Sequence, residues 1–143
     1  MACQAHLGEV QRCWAEFSAT GANVIGVAHS PVPVLRRYLD SVSWSFKMVT
    51  DPERLAYRRL GLERVNWIEY FRPRVLWGYL RILWHGGKVR KPSGEEDLHQ
   101  LGGDFIFDRS LRLIFAWRSR DPIDRPAPEE LLRVLRSLQA KDR

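Results

Sequence analysis

The chain has only two cysteines, Cys3 and Cys13, no long apolar run, and almost no negative charge across its middle. Two cysteines do not make a disulfide framework. No stretch reaches the roughly 20 apolar residues that a membrane span needs, and no signal-peptide pattern opens the chain. The expectation is therefore a cytoplasmic protein. His6, His29, His85 and His99 are scattered without metal-ligand spacing, which argues against a zinc site. His85-Gly86-Gly87-Lys88 is no phosphate-binding loop, because the glycine spacing is wrong and no Ser or Thr follows the lysine. No serine stands in a nucleophile-elbow context, and the acidic residues are dispersed rather than paired as acid and base. No cofactor or metal is expected. The candidate chemistry that survives is that of cysteine.

The strongest structural signal is the stretch 102–120, GGDFIFDRSLRLIFAWRSR. Phe105 and Phe107 sit two apart, as do Leu111, Leu113, Phe115 and Trp117, with Ile106 and Ile114 on the opposite face. Period two with β-branched and aromatic residues predicts paired strands, joined by a tight turn at Asp108-Arg109-Ser110. The face carrying Leu111, Leu113, Phe115 and Trp117 is expected to be buried. Arg118, just past the apolar run, is a functional candidate by position.

Helix and strand patterns alternate before this hairpin. Cys3, Leu7, Val10, Trp14 and Phe17 mark one face of a helix that Gly21 closes. A helix this apolar at residue three has nothing before it to pack on, so the natural start is expected upstream of Met1. Residues 22–28 predict a buried strand, Pro31 or Pro33 opens a helix through Leu39, and residues 46–49 predict a short strand. Asp51-Pro52-Glu53 has the form of an N-cap, a proline at N1 and an acidic first turn for a helix ending at Gly61. A last helix begins near Pro126–Pro128 and carries Leu131, Leu132, Leu135 and Leu138.

Between these lies an insert, residues 66–98. From Trp67 to Lys91 it holds Arg72, Arg74, Arg81, Lys88, Arg90 and Lys91 against Glu69 alone, which supplies most of the net charge of +6. Ile68, Phe71, Val75, Leu76, Tyr79, Leu80, Leu83 and Trp84 recur at helical spacing, with Arg72, Arg74 and Arg81 off that stripe. The apolar stripe is expected to face protein, either this domain or a dimer partner. An anionic membrane surface is the second reading. Nucleic acid is not expected, since no recognition motif accompanies the charge.

Cys3 stands in the first turn of its helix, where free amide N–H groups and the helix dipole stabilise a thiolate. A free thiol pKa of about 8.5 falls in such a place. Because Cys3 also heads the apolar stripe, a small buried hydrophobe is an equal reading. Cys13, beside Trp14, reads as packing.

Four blocks carry a resemblance: CQAHLGEV (3–10), TDPERLAYRRLGL (50–62), VLWGYLRIL (75–83) and LGGDFIFDRSLRLIFAWRSRD (101–121). Together they resemble the peroxiredoxin-like branch of the alkyl hydroperoxide reductase/thiol-specific antioxidant (AhpC/TSA) proteins. The resemblance implies one α/β thioredoxin-like domain over residues 1–143, a mixed sheet with flanking helices, and thiol-dependent, peroxide-reducing antioxidant chemistry. Cys3 matches the second cysteine of the family's C-x-x-C and inherits the nucleophile role. Arg118 matches a basic residue at the end of the hairpin strand that stabilises the thiolate or orients peroxide oxygens. A peroxide or disulfide substrate and an external thiol reductant are implied. The alternatives are a catalytically inactive thioredoxin-fold binding module and a peripheral membrane protein. The first cysteine and its strand would precede Met1, so the N-terminal strand is expected to be missing. The strands at 23–28 and 104–108 should then stand apart instead of pairing, leaving a chain prone to aggregate. Gly102-Gly103 stands where thioredoxins carry a cis-proline.

Overall fold

In the computed structural model of the chain, the structure describes residues 2–64, 73–84, 100–121 and 123–141. The N-terminal apolar stripe forms two helices rather than one, α1 (Ala2–Arg12) and α2 (Trp14–Ala19). They meet at Cys13, whose φ of −92° and ψ of 14° interrupt the helix. The stripe still points inward: Val10 and Phe17 join the buried core, and Leu7, Cys13 and Trp14 pack against it. Cys13 is a free thiol used in packing, as expected.

Strand β1 (Ile25–Ala28), helix α3 (Val32–Leu39) and strand β2 (Lys47–Thr50) follow. The helix starts beside prolines at its first turn, where no amide is missed. The strands pair in parallel, Ile25 opposite Lys47 and Ala28 opposite Thr50. Phe46 and Trp44, just before β2, stack with ring centroids 5.5 Å apart, and Trp14 tilts on Phe46 at 5.9 Å. Gln11 reinforces the seam, donating to Ser45 Oγ at 2.7 Å while its Oε1 accepts the Ser45 amide at 2.8 Å.

Helix α4 (Leu55–Arg59) begins later than the Asp-Pro-Glu pattern predicts. Residues 51–54 form a separate turn, with the Arg54 amide on Asp51 O at 2.9 Å and Arg54 in the left-handed region at φ 56°. The Asp51 carboxylate nevertheless caps the helix, accepting the amides of Leu55 at 2.9 Å, Ala56 at 2.8 Å and Tyr57 at 3.4 Å. The cap was legible, but Pro52 is not the first helical residue. Replacing Asp51 by Ala should lower stability by about 1–2 kcal/mol, the usual cost of losing such a cap. Chemical denaturation measures it.

Helix α5 (Pro73–Trp84) lies within residues 66–98; residues 66–72 and 85–98 lie outside the described residues. Among its described side chains only part of the apolar stripe is buried: Val75 is completely so, whereas Leu76 and Leu80, expected to face protein, are exposed, as is Trp84. Arg81 is exposed, as expected. Phe71 and Arg72, and the side chains of Arg74, Tyr79 and Leu83, lie outside the described residues. Among the described residues no helix is long and apolar enough to cross a membrane.

Strands β3 (Gly103–Phe107) and β4 (Leu113–Arg118) form the expected antiparallel hairpin, but only the Phe115 and Trp117 part of the expected face turns inward. Asp104 lies opposite Trp117 and Ile106 opposite Phe115, and a bulge between Ile106 and Phe107 then shifts the register so that Phe107 lies opposite Leu113. Ile106 is buried, with Phe115 packed beside it, whereas Phe107 and Leu113 are exposed. Leu111 belongs to the loop rather than to the strand, 83% exposed with φ at 59°. The Asp108 carboxylate holds that loop by accepting the amides of Ser110 and Arg112, both at 2.9 Å. A Leu111→Gly change should remove left-handed strain of about 1–2 kcal/mol, partly offset by glycine's greater freedom when unfolded. The expected outcome is a small rise in melting temperature, and an unchanged or lower value would contradict this reading of the loop.

Helix α6 (Pro128–Lys141), with Glu129 and Glu130 in its first turn, closes the core through Leu131 and Leu132. Gln139 donates to Thr20 O at 2.6 Å and Arg136 pairs with Glu16 at 2.6 Å, tying α6 to α2. Among the described residues the sheets are two separate pairs: β1 bonds only to β2, and β3 only to β4. Ile25 and Val27 of β1 are exposed.

Candidate functional site

Cys3 stands on the first turn of α1; its side chain lies outside the described residues. One turn further on the same face is His6, only 5% exposed. Its Nε2 lies 2.9 Å from Asp104 Oδ1 on β3. The second Asp104 oxygen accepts from Arg125 Nη1 at 3.2 Å. The three side chains form a buried row, Arg125–Asp104–His6, with Asp104 and Arg125 both largely screened from water.

Each member is placed by a local device. Strand alternation turns Asp104, with Ile106, toward α1, and antiparallel pairing fixes it opposite Trp117. Arg125 is delivered by a tied turn after β4, in which Arg120 N donates to Asp124 Oδ2 at 2.8 Å and Ile123 N to Asp121 Oδ1 at 3.0 Å. Gly102 makes room for it. A Cβ at position 102 would collide with the Arg125 guanidinium, and Arg125 would have to leave Asp104 to relieve the clash. At Gly103 a Cβ would approach Trp117 O to 2.5 Å, so the glycine pair is required by close packing at the start of the hairpin.

Burial pushes the Asp104 carboxyl up, but the hydrogen bond from His6, the charge His6 carries when protonated and the Arg125 charge outweigh it, leaving the group below the ordinary carboxylate range. Asp104 is thus an anion and can only accept, so the proton on His6 Nε2 is the one donated. That leaves Nδ1. It is buried and has no hydrogen-bond partner among the described residues, with Glu9 Oε2 at 3.8 Å.

Arg118 is elsewhere. It ends β4 opposite Gly103, on the strand face that alternates away from Asp104 and Trp117. Its Nε donates to Leu60 O at 2.6 Å, and its guanidinium lies 5.5 Å from the centre of the Phe105 ring. With Gly61, Glu63, Ser119 and Arg120 it lines a shallow depression on that side. Among the described contacts none joins Arg118 to α1. The sequence reading named Cys3 and Arg118 as site residues and did not name His6, Asp104 or Arg125 among them. One signal was available: Asp104 is a lone carboxylate inside an apolar strand, and such a group requires a buried partner.

The profile of the AhpC/TSA antioxidant enzyme family matches residues 10–121. The chain belongs to that family. AhpC/TSA membership places it in the thioredoxin-like superfamily and agrees with the mixture of helices and small sheets described above. No curated protein and no solved structure matches the chain. The AhpC/TSA match includes Asp104 and Arg118; it begins after Cys3 and His6 and ends before Arg125. Among the described residues no cluster of His, Cys, Asp and Glu is arranged to hold a metal.

The Asp104 carboxylate has a measurable consequence. Its folded pKa lies below the unfolded value of about 3.9, so its stabilisation is fully present above that value and is lost as pH falls through the folded one. Asp104→Asn should cost about 3 kcal/mol at neutral pH, because it strips the anionic partner from the buried Arg125 guanidinium and the His6 ring. The gap between variant and parent should narrow as pH drops below about 4. A pH series of denaturant melts tests this, and a gap independent of pH would contradict the assignment.

Proposed function

We propose that the protein is a thiol-dependent, peroxide-reducing member of the AhpC/TSA family of the peroxiredoxin-like kind, with Cys3 as its nucleophile. The observation that carries this reading is the family match, together with the buried His6–Asp104–Arg125 row one helical turn from Cys3. Helical side chains lean toward the N-terminus, so the His6 ring reaches back over the turn that holds Cys3. In this reading His6 Nδ1 is the base that serves the thiol. Asp104 holds the ring in the tautomer with its proton on Nε2 and stabilises the imidazolium, as in Cys–His–carboxylate sites generally.

The steps balance as follows. Cys3 passes its proton to His6 Nδ1 and becomes a thiolate. The thiolate sulfur attacks one peroxide oxygen, the O–O bond breaks, and the departing alkoxide takes the proton from His6 to leave as an alcohol (or water). Cys3 is now a sulfenic acid. An external thiol condenses with it, releasing water and forming a mixed disulfide, and a second thiol reduces that disulfide and restores Cys3. Cys13 does not serve as the resolving thiol. Ten residues of helix separate the two by about 15 Å, and a disulfide tolerates no more than about 7 Å between Cα atoms.

In this reading Arg118 acts from the far side of the hairpin, through the packing of Leu60 and Phe105, instead of touching the thiolate. A second reading, a thioredoxin-fold module that binds without catalysis, is favoured by the match beginning at residue 10, past Cys3. Peroxide treatment followed by dimedone and mass spectrometry separates them. The redox reading predicts an adduct on Cys3 and none on Cys13, with turnover abolished in Cys3→Ser. His6→Gln should slow peroxide consumption about a hundredfold, the usual worth of a positioned base, and Arg118→Gln should slow it less. Unlabelled Cys3 with no peroxide consumption would establish the binding-module reading instead, and a Cys3→Ser protein that still consumes peroxide would overturn Cys3 as the nucleophile.

A further inference from the structure

We propose that α5 is a docking element for an anionic lipid surface. Its exposed apolar side chains enter the headgroup region, and its arginine side meets lipid phosphates. The proposal is independent of the redox chemistry and rests on the geometry of one helix.

Four large apolar residues of α5 face solvent: Leu76 is 58% exposed, Trp77 72%, Leu80 50% and Trp84 90%. At about 3.6 residues per turn they fall within an arc of roughly 100°. Val75, which is fully buried, lies across the helix axis from that arc. The helix is thus held by one face and presents the other, rather than being loosely amphipathic in both directions. A contiguous exposed apolar patch of this kind marks an interaction surface.

Charge selects the occupant. The helix contains no Asp or Glu, and Arg81, exposed, borders the apolar arc. Position 74, also arginine, falls on the same side of the helical wheel. The neighbouring sequence adds Arg72, Lys88, Arg90 and Lys91. Apolar residues with two tryptophans, bordered by arginine, match the layering of a bilayer interface, where indole rings sit at headgroup level and arginine stems reach to the phosphates. A second copy of the chain fits less well, because two-fold pairing through this face sets the arginine flank of one helix against its equivalent. No described helix is long and apolar enough to span a bilayer, so the expected mode lies in the plane of the surface.

The test is flotation of the full chain with phosphatidylcholine vesicles, with and without a phosphatidylserine fraction. The parent should bind phosphatidylserine-containing vesicles at least about fivefold better than neutral ones, since each basic residue near an anionic surface is worth about that factor. Added salt should weaken the preference. Trp77→Ala/Trp84→Ala should lose binding by about tenfold or more, while melting like the parent, because both indoles are exposed. Arg81→Glu should weaken binding about fivefold on anionic vesicles alone. Failure of the parent to float, equal binding to both vesicle types, or a double variant that floats like the parent would overturn the proposal. So would ultracentrifugation showing a lipid-independent dimer that the double variant disperses.

Discussion

The Asp104 carboxylate is the interaction on which the rest of the structure depends. It sits on the first strand of the hairpin and holds α1 through His6 and the approach to α6 through Arg125. A buried anion is tolerated only when its neighbours supply positive charge and hydrogen bonds, and here both oxygens are engaged. The two partners, an imidazole and a guanidinium, come from opposite ends of the chain. The hairpin is therefore clamped between the N-terminal and C-terminal helices by charge as well as by the Val10, Phe17, Ile106 and Leu132 core. Gly102 belongs to the same device, because only a residue without a Cβ lets Arg125 come that close.

The clamp also links stability to chemistry. The geometry that neutralises Asp104 fixes the tautomer and position of an imidazole one turn from the family's expected nucleophile. Structural ion pairs and catalytic pairs use the same physics, so membership of the AhpC/TSA family decides the weight given to the second role. The α5 surface stands apart from this arrangement. It lies in the basic insert, and nothing in the clamp requires its tryptophans to be exposed.

Much of the fold was legible in the sequence because periodicity and capping are local. The strand–helix–strand unit, the hairpin and the last helix follow from alternation, prolines and turn residues, and the AhpC/TSA family followed from longer blocks. What failed were inferences about which face meets which. Counting by twos through residues 105–117 ignores the bulge after Ile106, so it assigns Leu111 and Leu113 to the core when both are exposed. The apolar stripe of α5 was read as a buried face because burial is the commoner fate of such stripes, while the structure buries Val75 and exposes Leu76, Leu80 and Trp84. Arg118 attracted notice for its position at a strand end. Only the register shows that it points away from the Asp104 face, toward Leu60 and Phe105. His6 and Asp104 are separated by 98 positions, and no local pattern couples residues that far apart.

The central claim is that Cys3 is an activated thiol and not merely a small apolar side chain at the head of a helix. It is tested most directly by the pH dependence of alkylation, with iodoacetamide modification of Cys3 and Cys13 followed separately by peptide mass spectrometry in the folded protein. The account predicts that Cys3 reacts with a midpoint at least about one pH unit below the 8.5 or so of an unperturbed thiol, and that Asp104→Asn moves this midpoint up. A Cys3 midpoint at or above about 8.5, unchanged by Asp104→Asn, would contradict it.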